Sequence, residues 1–326
     1  VDANNNGTYD INEKFEDVGN GIWNVNESYE DLNNNNIWDE GEPFIDKGNG
    51  IKDYGQDVVI VEIDDESYRL ICEGYPYTRG RVWSEVVRNL SDADAKLIVF
   101  DIMFDSPDHT TKIINNALSD NCGNCSYIDA DIEFANSILY AKENNTDVIL
   151  ASKIGYDINR VPPQYYVNPY ETLLKSKPYV GLIDQESDMV DNVIRRYPIY
   201  NKIYADSTYQ LSLATQTALV FKGIDNYEVI NDIKNNQINF NNYSINTYSN
   251  EASFLLNYYG PNSNIYQTFD TFSLSNIIDS KDYDLCNLDE DDDWIDKYID
   301  ENNILYNFFG EKKNPFKDKI VIIGSS

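Results

Sequence analysis

The chain has 326 residues, 41% of them hydrophobic, enough for a sizeable core in one large domain or two smaller ones. Its 25 Lys and Arg against 56 Asp and Glu leave a formal net charge of −31, which excludes nucleic acid and an anionic membrane surface as natural partners and favours cations. No run of 18 apolar residues occurs, and the start VDANNN has neither the charged nor the apolar region of a signal peptide.

Residues 1–55 are rich in Asn, Asp, Glu and Gly and fall into four aspartate-led units beginning at Asp2, Asp17, Asp31 and Asp46. Aromatic residues recur with them: Tyr9, Trp23 and Trp38 form one series, Phe15, Tyr29 and Phe44 a second, each with intervals of 14 and then 15 residues. Such a period marks an internal repeat. In the first unit Asp2, Asn4, Asn6, Asp10 and Glu13 occupy the oxygen-bearing positions of a twelve-residue calcium loop, with Gly7 at the turn and Thr8 offering its carbonyl. In the third, Asp31, Asn33, Asn35, Asp39 and Glu42 do the same with the Ile37 carbonyl, although Asn36 replaces the glycine. The second and fourth units are variants, with Asp17, Asn24 and Glu27 in one and Asp46 and Asp53 in the other. The loops leave no room for flanking helices, so the region resembles the calcium-wrapped repeats of thrombospondin type 3 and EF-hand-like bacterial loops. The expectation is an irregular, calcium-stabilised region over 1–55; the bland alternative is a solvated acidic linker.

From residue 56 onward apolar strand runs alternate with helical periodicity. The pattern predicts a strand at DVVIVEID, a helix through WSEVVRNLSDADA, a strand KLIVFDI, a helix DIEFANSILYAKENN and a strand DVILAS. A more β-like section follows, VGLIDQESDMVDNVIRRYPIYNKI, then a helix QLSLATQTALVF, short strands in INFNNYSINTYS and SFLLNYY, a helix around LSNII, and a last strand KIVIIGSS. Near-continuous Val/Ile strands separated by helices indicate an α/β fold: a mostly parallel sheet covered by helices, with an antiparallel β section. Of the four cysteines, Cys122 and Cys125 lie three apart in a polar loop, where a small disulfide is the favoured reading over metal or redox roles.

Five segments in order, VIVEIDDESY, GYPYTRGRVWSEVVRNLSDADAKLIVFDIMFDSP, DMVDNVIRRYPIY, LNYYGP and FKDKIVIIGSS, resemble the type 2 CHASE domain, an extracellular sensory domain associated with bacterial cyclases and histidine kinases. Tyr75 and Tyr77 depart from the tryptophans the family often carries there, and there are long insertions near 106–130 and 283–303. The resemblance implies a periplasmic or extracellular input module over residues 56–326, non-catalytic in itself. It also implies an anchor through membrane helices outside this chain, which the ending on an apolar strand suits. It names no ligand, so the partner is an unknown small-molecule or protein signal, with a homodimer as a further expectation.

In open parallel sheets ligands bind at the carboxyl ends of the strands. That rule selects Asp64 and Asp65 after the first strand, Asp101 and Asp105 after the second and Lys153 in the third, with Tyr77 and Arg79 from the Tyr75-Pro76-Tyr77 turn approaching the same rim. Three readings remain open: a ligand cleft with these groups as polar anchors, helix caps in which Asp64 and Asp101 pair with Arg79, and a carboxylate metal site for hydrolysis by Asp64, Asp65 and Asp101. A calcium-stiffened adhesion module is a further alternative for the whole chain. The single histidine, His109, lies in a polar loop and no nucleophile motif accompanies it, which argues against a Ser-His-Asp or Cys-His machine.

Overall fold

The computed structural model describes residues 57–109, 129–185, 193–203, 209–224, 229–232, 236–241, 243–248, 252–256, 269–286, 293–299 and 314–325. The chain divides into two units, residues 1–56 and 57–326, and every described residue belongs to the second. The proposed calcium ligands, and Cys122 and Cys125, lie outside the described residues.

The chain runs through β1 (Val58–Ile63), α1 (Asp65–Leu70), a π-helical turn (Arg79–Trp83), α2 (Ser84–Asp92) and β2 (Leu97–Phe100). It continues through α3 (Ala130–Glu143), β3 (Asp147–Tyr156), β4 (Gln164–Val167), α4 (Glu171–Leu174) and β5 (Tyr179–Leu182). An antiparallel section holds β6 (Arg196–Pro198), β7 (Tyr200–Lys202), β8 (Tyr209–Leu211), α5 (Leu213–Phe221), β9 (Val229–Asp232), β10 (Gln237–Phe240), β11 (Tyr243–Asn246) and β12 (Ser253–Leu255). The chain returns to the main sheet with β13 (Asp270–Ser273), α6 (Leu274–Ile278), α7 (Asp296–Ile299) and β14 (Ile320–Ser325).

The main sheet has the order β13-β1-β14-β2-β3, all parallel. The long β3 then serves two partners: its first part pairs with β5 in parallel, and its last four residues pair with β4 antiparallel. This is the mixed sheet covered by helices that the alternation predicts.

The Leu-Ile-Val-Phe run of β2 is apolar throughout because both faces are covered. Ile98 and Phe100 join Val59, Val61, Trp83, Val86, Phe134, Ile138 and Ile277 under α2, α3 and α6. Leu97 and Val99 face the other way with Ile149 and Ile320, under Leu213 and Val220 of α5. The α5 residue Leu219 meets Ile199, Leu211, Ile238 and Phe240, so this helix joins the antiparallel section to the sheet. Gly181 lets β5 approach α5: a Cβ there would stand 2.6 Å from Leu213 Cα. Gly80 does the same for the π-helical turn against α3, where a Cβ would lie 2.9 Å from Ala130 Cα.

A disulfide joins Cys72, just past α1, to Cys286, and the Cys286 amide donates to the Leu70 carbonyl at 2.8 Å. With the cysteines 214 positions apart in sequence, this cross-link removes much freedom from the unfolded chain. Replacing both residues, Cys72→Ser with Cys286→Ser, is expected to cost about 2–5 kcal/mol, read as a lower denaturant midpoint. An unchanged midpoint would show that the bridge contributes nothing.

Candidate functional site

The carboxyl edge of the sheet is where the selected residues fall, but they do not gather into one cluster. Asp64 ends β1 and caps α1: its carboxylate accepts from the Ser67 amide at 2.8 Å, the Ser67 hydroxyl at 2.7 Å and the Ser273 hydroxyl at 2.8 Å. Ser273 belongs to β13, so Asp64 is turned away from β14. Burial alone would raise its pKa, yet the hydrogen bonds from Ser67, side chain and backbone, and from Ser273 outweigh it and hold the carboxyl below its ordinary value. Asp65 is exposed in the first turn of α1, where a negative charge suits the helix dipole.

Asp101 lies on the far side of β14. Its amide donates to the Ile323 carbonyl at 2.8 Å, and its Cβ faces the space beside Gly324. Asp101 is exposed, and only the partial desolvation of its carboxyl by the neighbouring strands pushes its pKa up. Among the described residues its carboxylate takes neither a hydrogen bond nor an ion pair, and it caps no helix. Tyr197 of β6 comes close enough for the Asp101 charge to be felt; its phenol, raised first by burial and then by Asp101, is hydrogen-bonded to the Ala214 backbone and the Gln185 side chain. Ala214 is in the first turn of α5, whose cap is Ser212, accepting from the Thr215 amide at 3.3 Å. Asp101, Tyr197, Gln185 and the start of α5 thus form a polar corner where the antiparallel section crosses the sheet's edge. A carboxyl, a phenol and an amide together suit a small polar ligand that both donates and accepts hydrogen bonds.

The expected pairing of Arg79 with Asp64 and Asp101 is corrected by the structure. Arg79 is buried and forms its ion pair with Asp131, in the first turn of α3. Asp108 completes the network: its carboxylate accepts from the Arg79 amide at 2.9 Å, and its own amide donates to Asp131 at 3.0 Å. The cause is the close contact at Gly80, which sets Arg79 against the start of α3, with its guanidinium 5.2 Å from the Phe104 ring centre. Asp131 was not among the residues selected by sequence; nothing in the spacing of residues 79 and 131 announces their contact. Tyr77 is buried with its hydroxyl unpartnered, packed on Trp83, Tyr68 and Tyr75 rather than facing Asp101. Lys153 and Asp105 do meet, at 3.6 Å, on the half-exposed rim beside β3. Asp64 and Asp101 therefore face opposite sides of β14, and among the described residues no group of three His, Cys, Asp or Glu is placed to hold a metal ion. The hydrolase alternative draws no support from this arrangement. His109 is exposed.

Sequence reasoning missed a groove of about 310 Å³ at the β3–β4 hairpin, lined by Arg160, Pro162, Gln164, Tyr165, Tyr166 and Ile203 among others. The Arg160 guanidinium stacks there 3.9 Å from the Tyr165 ring centre. The only available signal was the Pro-Pro-Gln-Tyr-Tyr run, which reads as a turn.

Over residues 35–326 the chain matches the CHASE2 domain family. The chain belongs to the CHASE2 family. Neither a curated protein nor a solved structure matches it. As a CHASE2 domain it is an extracytoplasmic sensory module of a membrane signalling protein, an input rather than a catalytic unit. The match starts at residue 35, inside the third aspartate-led unit. Among the described residues no helix is long and apolar enough to cross a membrane.

The two rim carboxylates have opposite pH signatures. Asp64 has a lowered folded pKa, so its contribution to stability is complete above the ordinary value of 3.8 and is lost as pH falls through the folded value. Asp101 has a raised one, so its ionised form costs stability above 3.8 and acid relieves that cost. Asp64→Asn should destabilise at pH 7 and Asp101→Asn should stabilise; the Asp64 difference is lost as pH falls below 3.8, and the Asp101 difference fades as pH falls through its raised folded pKa and is gone by 3.8. Urea denaturation across pH checks this; equal signs for the two variants would contradict the assignment.

Proposed function

We propose that this CHASE2 domain is the input segment of a membrane-anchored cyclase or histidine kinase, and that its signal binds at the sheet edge around Asp101. The observation that carries the reading is the family match over residues 35–326. The rim supports it: the Asp101 carboxylate takes no hydrogen bond or ion pair among the described residues, and it lies directly beside Gly324 of β14 and near Tyr197. A ligand that accepts or donates at Asp101 would shift the end of the strand that leads toward residues after 326. Signal reception then amounts to a change in population between two arrangements of the domain or of its homodimer. The coding sequence on both sides of this segment tests the reading: membrane helices and a cyclase or kinase domain are expected, and a sorting signal or further repeats instead would overturn it.

The aspartate-led units of residues 1–55 are calcium sites in this proposal, with Asp2, Asn4, Asn6, Asp10 and Glu13 and then Asp31, Asn33, Asn35, Asp39 and Glu42 as ligands. Support comes from ligand spacing alone. Extracellular modules of this kind bind calcium with Kd on the order of 10⁻⁴–10⁻³ M. Calorimetric titration of the 326-residue chain should show binding in that range, weakened by Asp31→Ala with Glu42→Ala. A flat titration to about 10 mM calcium would contradict it.

A further inference from the structure

The three most exposed large apolar side chains among the described residues are Tyr156, Ile158 and Val161, at 69%, 80% and 100%. All three sit at the tip of the β3–β4 hairpin. The tip is not frayed. The Asp157 amide donates to the Pro163 carbonyl at 2.8 Å, the Asp157 carbonyl accepts from the Arg160 amide at 3.1 Å, and the Asp157 carboxylate accepts from the Asn159 amide at 2.9 Å. Below it the hairpin is braced by Tyr166, whose hydroxyl donates to the Asn201 carbonyl at 3.0 Å. The structure therefore holds apolar side chains out in water on a rigid support, which soluble surfaces avoid unless something covers them.

Strand register fixes where the tip points. Ile323 lies level with Phe100 and Val99 with Ile149, which brings Ser325 level with Ser152. Tyr156 is four residues further along β3, which at about 3.3 Å per residue projects the tip about 13 Å past the end of β14, from the same edge of the sheet. The tip is also locally neutral: Asp157 and Arg160 cancel within residues 156–166, in a chain whose formal charge is −31.

We propose that this hairpin tip docks into the interfacial layer of a zwitterionic lipid bilayer. Ile158 and Val161 would enter the acyl boundary, Tyr156 would sit at the headgroup level, and Arg160, held by Tyr165, would meet lipid phosphates. The inference rests on the reading above, in which residues beyond 326 lead to the membrane from the end of β14. Three side chains bury too little surface to bind a bilayer from free solution. A tether at the end of β14 supplies the effective concentration that makes the contact persist. Docking would stop the domain swivelling on its tether, so that displacement of β14 at the rim passes to the membrane.

The test uses the 326-residue chain carrying a carboxyl-terminal histidine tag on phosphatidylcholine vesicles that contain nickel-chelating lipid. An environment-sensitive fluorophore is placed at Ile158→Cys, in a Cys122→Ser, Cys125→Ser background, with Ser244→Cys on β11 as control. A blue shift and quenching by brominated acyl chains at position 158, absent at 244, is expected. No quenching at 158 on tethered protein overturns the docking while leaving the sensor reading intact, since that reading stands or falls on the flanking gene sequence. Light scattering guards against a second copy as the occupant: an oligomeric state unchanged by Ile158→Asp with Val161→Asp is expected, and a dimer that this pair dissolves would overturn the membrane assignment.

Discussion

The sheet depends on β14 filling the space between β1 and β2. Neither of those strands pairs with the other; each gives one edge to residues 320–325. An unfilled slot would leave two rows of buried amides and carbonyls without partners, each costing on the order of 1–3 kcal/mol. Val321 and Ile323 also enter the core beneath α2 and α6, alongside Val59, Val61 and Ile98. The centre of the fold is thus assembled from segments more than 200 residues apart, and the disulfide between Cys72 and Cys286 closes a second long-range link beside it.

The same insertion organises the rim. With β14 between them, Asp64 is drawn to Ser67 and Ser273 and becomes a satisfied cap, while Asp101 stays exposed beside Gly324 with its carboxyl only partly desolvated. Two aspartates that follow similar apolar strands therefore stand in different settings, one a satisfied cap and one without a hydrogen-bond partner among the described residues. Arg79, buried against Asp131 and Asp108, fixes the loop after β2 to α3. Breaking that pair would leave a buried charge uncompensated.

Local features were legible in the sequence because they follow from periodicity. The Val/Ile runs of β1, β2, β3 and β14, the helices at 84–92, 130–143 and 213–221, and the antiparallel character of the section after β5 all stand where pattern and composition place them. The Asp64 cap was among the open readings, although the short helix it starts was not predicted. Non-local pairings were not legible. Nothing in residues 320–325 states that they belong between β1 and β2, and the Cys72–Cys286 and Arg79–Asp131 contacts depend on that topology. Short elements with weak patterns, β4, β13 and the π-helical turn, were missed for the same reason: tertiary packing, not propensity, defines them.

If β14 is the strand on which the sheet depends, β1, β14 and β2 must open as one cooperative unit. Native-state hydrogen exchange on the 326-residue chain measures this directly. The amides of Val59, Val61, Ile98, Phe100, Val321 and Ile323 should exchange with one common free energy, equal to that of global unfolding. Exchange of the β14 amides at a clearly lower free energy, with β1 and β2 still protected, would contradict the account.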